Sequence, residues 1–521
     1  MKRLLTAFMS CVALAGAAPL ASAAEADKEL KLAYDADPIS LDIHEQLSGG
    51  MLQLSHMNFD PLIRWTKDLE FEPRLAKSWE RIDDKTMRFH LREGVKFHSG
   101  NTLTSEDVKF TFERLKKSQD YKAIFQPFSD LKIIDEHTFD LVTKEPYPLV
   151  LNTATYIFPM DKAFYTGTDK DGNDKSAISK QVDTFASRNQ SGTGPFKVTS
   201  RQQGVKVEFE RFEDYWDQDS PGNVGHVILT PIKENNTRVS ALLSGGVDFI
   251  APVPPTDLDR IKNDPKTNLV TMSGTRIIVF QMNQKRVEAF KDKRVRQAIA
   301  YAINQEGIAA KIMKGFATPA AQLSPEGYQG HVDSLEKRFD IEKAKELMKE
   351  AGYEDGFTIT MMAPNNRYVN DDKIAQAVAA MLARINIKVD LKTLPKAQYW
   401  PEFDNRAADM MMIGWHADTE DSANFYEFLT MCPNAETGAG QYNSGNYCNP
   451  ELDKLVEKAN VETDVAKRTE MLQKVEKGLY EDAAFVPLHW QDLAWASKKN
   501  VQIEPILNVM NFPYLGDLVI E

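Results

Sequence analysis

Cysteine is nearly missing from this chain: there are three in 521 residues, at positions 11, 432 and 448. Missing too are the local signatures of the common catalytic machineries. No G-x-x-x-x-G-K-[ST] run cradles a nucleotide phosphate, no H-E-x-x-H pair is spaced to hold zinc, and no G-x-S-x-G elbow presents a serine nucleophile. Ser191-Gly192-Thr193-Gly194-Pro195 is glycine-rich. Pro195 removes an amide donor, however, and no helical pattern follows, so no phosphate loop is expected there. The nine histidines are scattered, and carboxylate pairs are too common in so acidic a chain to single out a hydrolase. No long basic run is present and the formal charge is −13, which makes nucleic acid and anionic lipid poor partners. Beyond the N-terminal segment, no apolar stretch approaches the roughly 20 residues of a membrane helix. The longest candidates, such as Met410 to Trp415, suit buried strands. The expectation is a chain that is not an enzyme and that uses no metal and no cofactor.

What the N-terminus does have is distinctive. Lys2 and Arg3 precede an apolar run from Leu4 to Leu20, which ends in Ala21-Ser22-Ala23. That is the three-part layout of a secretory signal peptide over residues 1–23, with cleavage between Ala23 and Ala24. A membrane anchor is the alternative, disfavoured by Gly16, Pro19 and the small residues that close the run. Cys11 follows Phe8-Met9-Ser10, which does not resemble a lipid-attachment site. Export would place Cys432 and Cys448 in an oxidising compartment, where they read as one disulfide. The glycine- and asparagine-rich loop between them would gain about 3 kcal/mol from closure. A metal pair is the other reading, weakened by a spacing too wide for C-x-x-C and by the lack of an intervening histidine.

The mature chain is long enough for more than one domain, and its periodicities are mixed. Met87, Phe89 and Leu91 alternate, as do Val95 and Phe97, with Glu93-Gly94 between, which is a hairpin pattern. Thr104 with Asp107 resembles a capping box ahead of a helix bearing Val108, Phe112 and Leu115. Ile374, Ala377, Val378, Met381, Leu382 and Ile385 keep the helical period, and Ile387, Val389 and Leu391 switch to the strand period. A further helix opens at Asp340 and stops at Gly352. Asn449-Pro450 opens another as cap and first-turn proline. Such alternation predicts an α/β architecture with a partly parallel sheet. Thr166 to Ser176 reads as an exposed polar loop.

Several stretches together resemble the family-5 extracytoplasmic solute-binding proteins of ABC importers, of the dipeptide- and oligopeptide-binding type. Leu75-Ala76-Lys77-Ser78-Trp79-Glu80 followed by Phe89 to Gly100 resembles the family signature, continued by Leu103 to Val108. Gly192-Thr193-Gly194-Pro195-Phe196 with Tyr215-Trp216 is similar to a second block, and Arg294 to Ile303 to a third. Ala351-Gly352-Tyr353 and Gly414-Trp415 supply two more. The resemblance spans nearly the whole mature chain in the expected order.

The resemblance implies two α/β lobes joined by a hinge, with an extra subdomain inserted in the first. Lobe I would comprise residues 25–60, 190–277 and 492–521, the insertion 61–189, and lobe II 278–491. The hinge crossings would lie near Val279 and Leu493. The implied function is the periplasmic binding component of an importer. It would capture short peptides between closing lobes and deliver them to membrane permease subunits, as a monomer. A nickel-chelate or opine binder of the same fold is the alternative, for which His416 or His44 would be the histidine to consider.

In peptide-binding relatives an aspartate just after the Gly-Trp pair holds the ligand ammonium. Here the matching segment, Gly414-Trp415-His416-Ala417-Asp418, makes Asp418 the expected ammonium partner, with Trp415 a pocket wall and His416 a neighbour. Arg367, in Asn365-Asn366-Arg367-Tyr368, is the expected carboxylate partner. Ser48 and Gly49 would face the cleft from lobe I. The placement of Cys432 and Cys448 is similar to that of a disulfide in dipeptide-binding relatives.

Overall fold

The computed structural model describes residues 27–35, 40–179 and 183–521. The signal-peptide reading and its cleavage site lie outside the described residues. Among the described residues, no helix is long and apolar enough to cross a membrane.

Two large sheets dominate. The first has seven strands. Lys28–Tyr34 lies at its centre and pairs in parallel with Val224–Pro231 on one side and Phe249–Ala251 on the other. The strand Leu493–Lys498, from near the end of the chain, runs antiparallel between Phe249–Ala251 and Thr267–Met272. Lys206–Arg211 and Phe196–Gln202 complete the sheet as an antiparallel pair on its opposite edge.

The second sheet has six strands. Phe357–Pro364 and Ile387–Leu394 run parallel and are joined through the helix Asp371–Leu382, as a parallel crossover requires. That helix buries Ile374, Ala375, Val378 and Leu382 against the strands. Ile277–Met282 occupies a central position between Phe485–Trp490 and Met410–Trp415. All six of its residues are buried, and all but Gln281 are apolar, as expected of a strand covered on both faces. The strand period sorts them: Ile277 and Val279 enter one core, and Ile278, Phe280 and Met282 the other. Val279, near which a hinge crossing was expected, is thus mid-strand.

The chain passes from the first sheet to the second through residues 273–276. It returns through Gln491 and Asp492, just before the expected crossing near Leu493. These crossings lie against each other: the Gln491 amide donates to the Arg276 carbonyl at 2.9 Å. A Cβ on Gly274 would stand 2.5 Å from the Gln491 carbonyl oxygen, so only glycine permits this approach.

A third, four-stranded antiparallel sheet is built from residues between 76 and 143. It shares a continuous apolar core with the first sheet. Its helix Ser105–Lys117 is capped as the sequence suggests, the Thr104 amide donating to the Asp107 carboxylate at 2.9 Å. The expected hairpin at Glu93-Gly94 does not form. Val95 and Phe97 turn back onto Leu103 and Asn101 instead, while Thr86–Leu91 takes its partners from Ala76–Asp83 and Thr138–Thr143.

The glycine-rich motif proves architectural. Cβ atoms at Gly192 and Gly194 would collide with the backbone at Asn58 and Phe59, 2.1 and 2.4 Å away. Between them Thr193 reaches the buried Asp60, which also accepts from Trp216, Tyr215 and Arg74. Cys432 and Cys448 are joined as a disulfide.

Candidate functional site

A cavity of about 550 Å³ lies where the two large sheets face each other across the crossings. A second chamber of about 490 Å³ adjoins it. Arg276, Arg367, His416 and Asp418 line both and form the neck between them.

Local structure fixes each of these residues. Met410–Trp415 is a buried strand because all but its last residue are enclosed, and Asp418 lies on the loop just past its C-terminal end. Ligand sites of α/β sheets lie off the C-terminal ends of strands. Arg367 sits between the strand Phe357–Pro364 and the helix Asp371–Leu382, in a loop pinned by Asp371. The Asp371 carboxylate accepts the amides of Arg367 and Tyr368, each at 2.9 Å. The Tyr368 hydroxyl in turn accepts from the Gly414 amide at 2.8 Å. A Cβ on Gly414 would meet the Tyr368 ring at 2.6 Å. The glycine of the Gly-Trp pair therefore lets the arginine loop pack onto the strand that carries Asp418.

Trp415 walls the second chamber. Its indole donates to Asn424 at 2.8 Å and its ring packs on Tyr442 at 4.7 Å. Ser48 stands immediately before the helix Gly49–Asn58, without a side-chain cap bond, and lines the first chamber; Gly49 is the first residue of that helix.

His416 has both ring nitrogens engaged. Nδ1 lies 2.8 Å from the Thr275 hydroxyl, and Nε2 lies 3.1 Å from a carboxylate oxygen of the buried Glu420. The other Glu420 oxygen accepts from Tyr328. His44, the other histidine considered for a metal chelate, is not at the cavity. It is buried against Tyr121 and beside Arg114, whose guanidinium is bidentate on Asp42. Burial, then the Arg114 charge, holds its imidazole well below the ordinary histidine value.

The electrostatics are asymmetric. The Asp418 carboxyl is pushed up, chiefly by burial; His416 and Arg276 favour its charged form, whereas Glu420 opposes it. Its side chain remains open to the cavity. Arg276 is held below the ordinary guanidinium value, first by burial and then by Arg367. Among the described residues, neither guanidinium makes an ion pair; Arg367 rests over the Tyr368 ring at 5.1 Å.

The structure thus gathers Asp418, Arg367, His416, Trp415, Gly414 and Ser48 around one cleft. It adds residues that sequence reasoning missed: Arg276 and Thr275 from the first crossing, Tyr156 from the segment after the four-stranded sheet, and residues 509–512 near the C-terminus. The Tyr156 hydroxyl donates to the Asp418 carbonyl at 2.5 Å, and Asn152 Nδ2 to the Thr419 carbonyl at 2.8 Å, so the two sides of the cleft touch. For Arg276 there was a signal: a lone cation immediately before the mostly apolar run Ile277–Met282.

Comparison with known proteins agrees with this architecture. Residues 70–437 match the description "Bacterial extracellular solute-binding proteins, family 5 Middle". The chain is 29% identical over 460 residues to "Di/tripeptide-binding protein 1" of Pseudomonas aeruginosa, which covers 82% of each chain. It is 27% identical over 446 residues to the "Dipeptide-binding protein" of Escherichia coli, which covers 80% of each. Among solved structures, that of the binding protein AgaA from A. tumefaciens R10 in complex with agropinic acid superimposes with a TM-score of 0.71. The identity is 26%, over 95% of this chain and 99% of that one. With most of its length matched in this way, the chain belongs to the bacterial extracellular solute-binding proteins of family 5.

Proposed function

We propose that this protein is the periplasmic substrate-binding component of an ABC importer, and that it captures short peptides and delivers them to membrane permease subunits as a monomer. Residues 1–23 act as a cleaved signal peptide. Residues 25–60, 190–277 and 492–521 move as lobe I together with the inserted subdomain 61–189, and 278–491 move as lobe II.

The observation that carries the reading is the charge layout of the neck. A zwitterionic peptide needs a fixed opposite charge at each end, because a charge enclosed without a partner is costly. Asp418 receives the ammonium and Arg367 the carboxylate. Trp415 walls the chamber for a side chain, Gly414 keeps the arginine loop in place, and Ser48 and Gly49 offer polar contacts from lobe I. His416 holds its neighbours. A ligand touching both lobes favours the closed state by its differential affinity for it. The relatives named for dipeptides and di/tripeptides support the substrate class.

An opine is the second reading, favoured by the likeness to the agropinic acid complex. A nickel chelate would have to use His416, whose ring nitrogens are both engaged. Native mass spectrometry of the purified mature protein, followed by release of what it carries, separates the readings. Co-purified di- to pentapeptides are expected. An opine or a metal chelate would keep the importer role and overturn the substrate.

A further inference from the structure

The first chamber carries two arginines and one aspartate. Among the described residues, no other ionisable side chain lines it apart from His416 and the hydroxyl of Tyr156. Glu420 lies behind the wall, engaged by His416 and Tyr328. Asp404 borders only the second chamber, where it is exposed.

A simple zwitterionic peptide supplies one carboxylate and one ammonium. Asp418 takes the ammonium and one guanidinium takes the carboxylate, which leaves the second guanidinium with no ion pair among the described residues, favoured only at longer range by Asp418 and Glu420. That arrangement is costly in a desolvated site. Arg276 is the one left over. It opens the strand Ile277–Met282 at the end of the first crossing, its side chain makes no hydrogen bond or ion pair among the described residues, and it lines both chambers. A group reaching from the first chamber through the neck into the second passes beside it. Guanidinium groups match carboxylates through two parallel N–H donors.

We infer that the preferred ligand carries two anionic groups beside its ammonium, and that Arg276 holds the second, so that the site selects net-anionic peptides such as those with an acidic side chain. This rests on the peptide reading above, with Asp418 and Arg367 at the two ends. Arg276 becomes the specificity-determining residue, and its place on the crossing ties recognition of the acidic group to the geometry of the hinge.

Alanyl-glutamate and alanyl-glutamine have the same shape and differ by one charge. In titration calorimetry the acidic peptide is expected to bind roughly 30-fold tighter, the lower end of what a buried charge partner contributes. Arg276→Gln should abolish the preference, so that the two peptides bind with similar affinity. Arg276→Lys, which keeps the charge without the fork, should retain part of the preference. Circular dichroism confirms that the variants fold. Thermal shift with succinate, which has two carboxylates and no ammonium, tests the arginine pair apart from peptides. The wild type should be stabilised and Arg276→Gln should not.

Equal affinities for the two peptides, unchanged in Arg276→Gln, would overturn the inference and leave the peptide reading standing. If neither peptide binds, the peptide reading fails and succinate decides the rest. A shift lost in Arg276→Gln sustains a dianion site, and no shift overturns it.

Discussion

At the scale of single residues, the cleft holds charges, Asp418, Arg276 and Arg367, that make no ion pair among the described residues. Asp418 stands at the neck with its carboxyl pushed up by burial, a condition that an ammonium ligand relieves. Asp418→Ala should weaken peptide binding by about 3 kcal/mol, the scale for removing one member of a buried charge pair. A folded variant with unchanged affinity in calorimetry would remove Asp418 from the site. Asp492, in the return crossing, shows a different effect. Burial raises its carboxyl to about 6, although the Thr318 hydroxyl donates to it at 2.9 Å. Its native form therefore binds a proton that the unfolded chain has released above about pH 4. Stability falls as pH rises through the window from about 4 to 6, and the full penalty persists at pH 7. Asp492→Asn, which keeps the acceptor and removes the charge, should stabilise the protein at pH 7 by about 1 kcal/mol once solvent screening is allowed for. The gain should vanish near pH 4; a denaturant midpoint equal to wild type at both pH values would refute it.

At the scale of elements, legibility in the sequence followed period. The helix Asp371–Leu382 and the strand Ile387–Leu394 after it were readable because their apolar residues repeat at the period of the element they form, and Met410–Trp415 because it is a short continuous apolar run. The loop after Met410–Trp415 and the loop before Asp371–Leu382 were legible in this way, but Asp418 and Arg367 were picked out on them by the family resemblance. Val95 and Phe97 misled because alternation states which residues face inward, not which strand is the partner; here Gly94, at φ +72°, turns the chain away. Arg276 and Tyr156 stayed hidden because the cleft is assembled from segments far apart in the chain, and no local pattern records which loops will meet. The contact between Tyr156 and the Asp418 carbonyl is such a meeting. Burial keeps the phenol neutral and a donor. Tyr156→Phe should lose roughly 1 kcal/mol of contact across the cleft, read as a several-fold faster ligand release in stopped-flow. An unchanged release rate would mean that the contact does not help hold the cleft shut.

At the scale of the whole molecule, the two sheets are joined by two short crossings packed against one another, and the cleft between them is mostly open space bordered by a few polar contacts. A ligand that fills it adds contacts to both sides and binds the unfolded chain little. Peptide at about 100 times its Kd should raise unfolding free energy by about 2.7 kcal/mol. The radius of gyration should fall in small-angle scattering as the lobes close. Stabilisation with no change in radius would indicate a cavity that binds without hinge motion.

The position of Leu493–Lys498 inside the first sheet has a consequence for how the molecule is made. On a ribosome, or threading through a secretion channel, the chain delivers the opening strands of that sheet early and its inner antiparallel strand almost last. The whole second sheet, from Ile277 to Trp490, emerges in between. The half that begins first is therefore the half that finishes last. At 5–20 residues per second it waits about 10–40 s with Phe249–Ala251 and Thr267–Met272 lacking the strand that joins them. A nascent chain cut anywhere in that interval has one side ready to fold and the other with open backbone edges, the part that chaperones would have to shield and proteases would find.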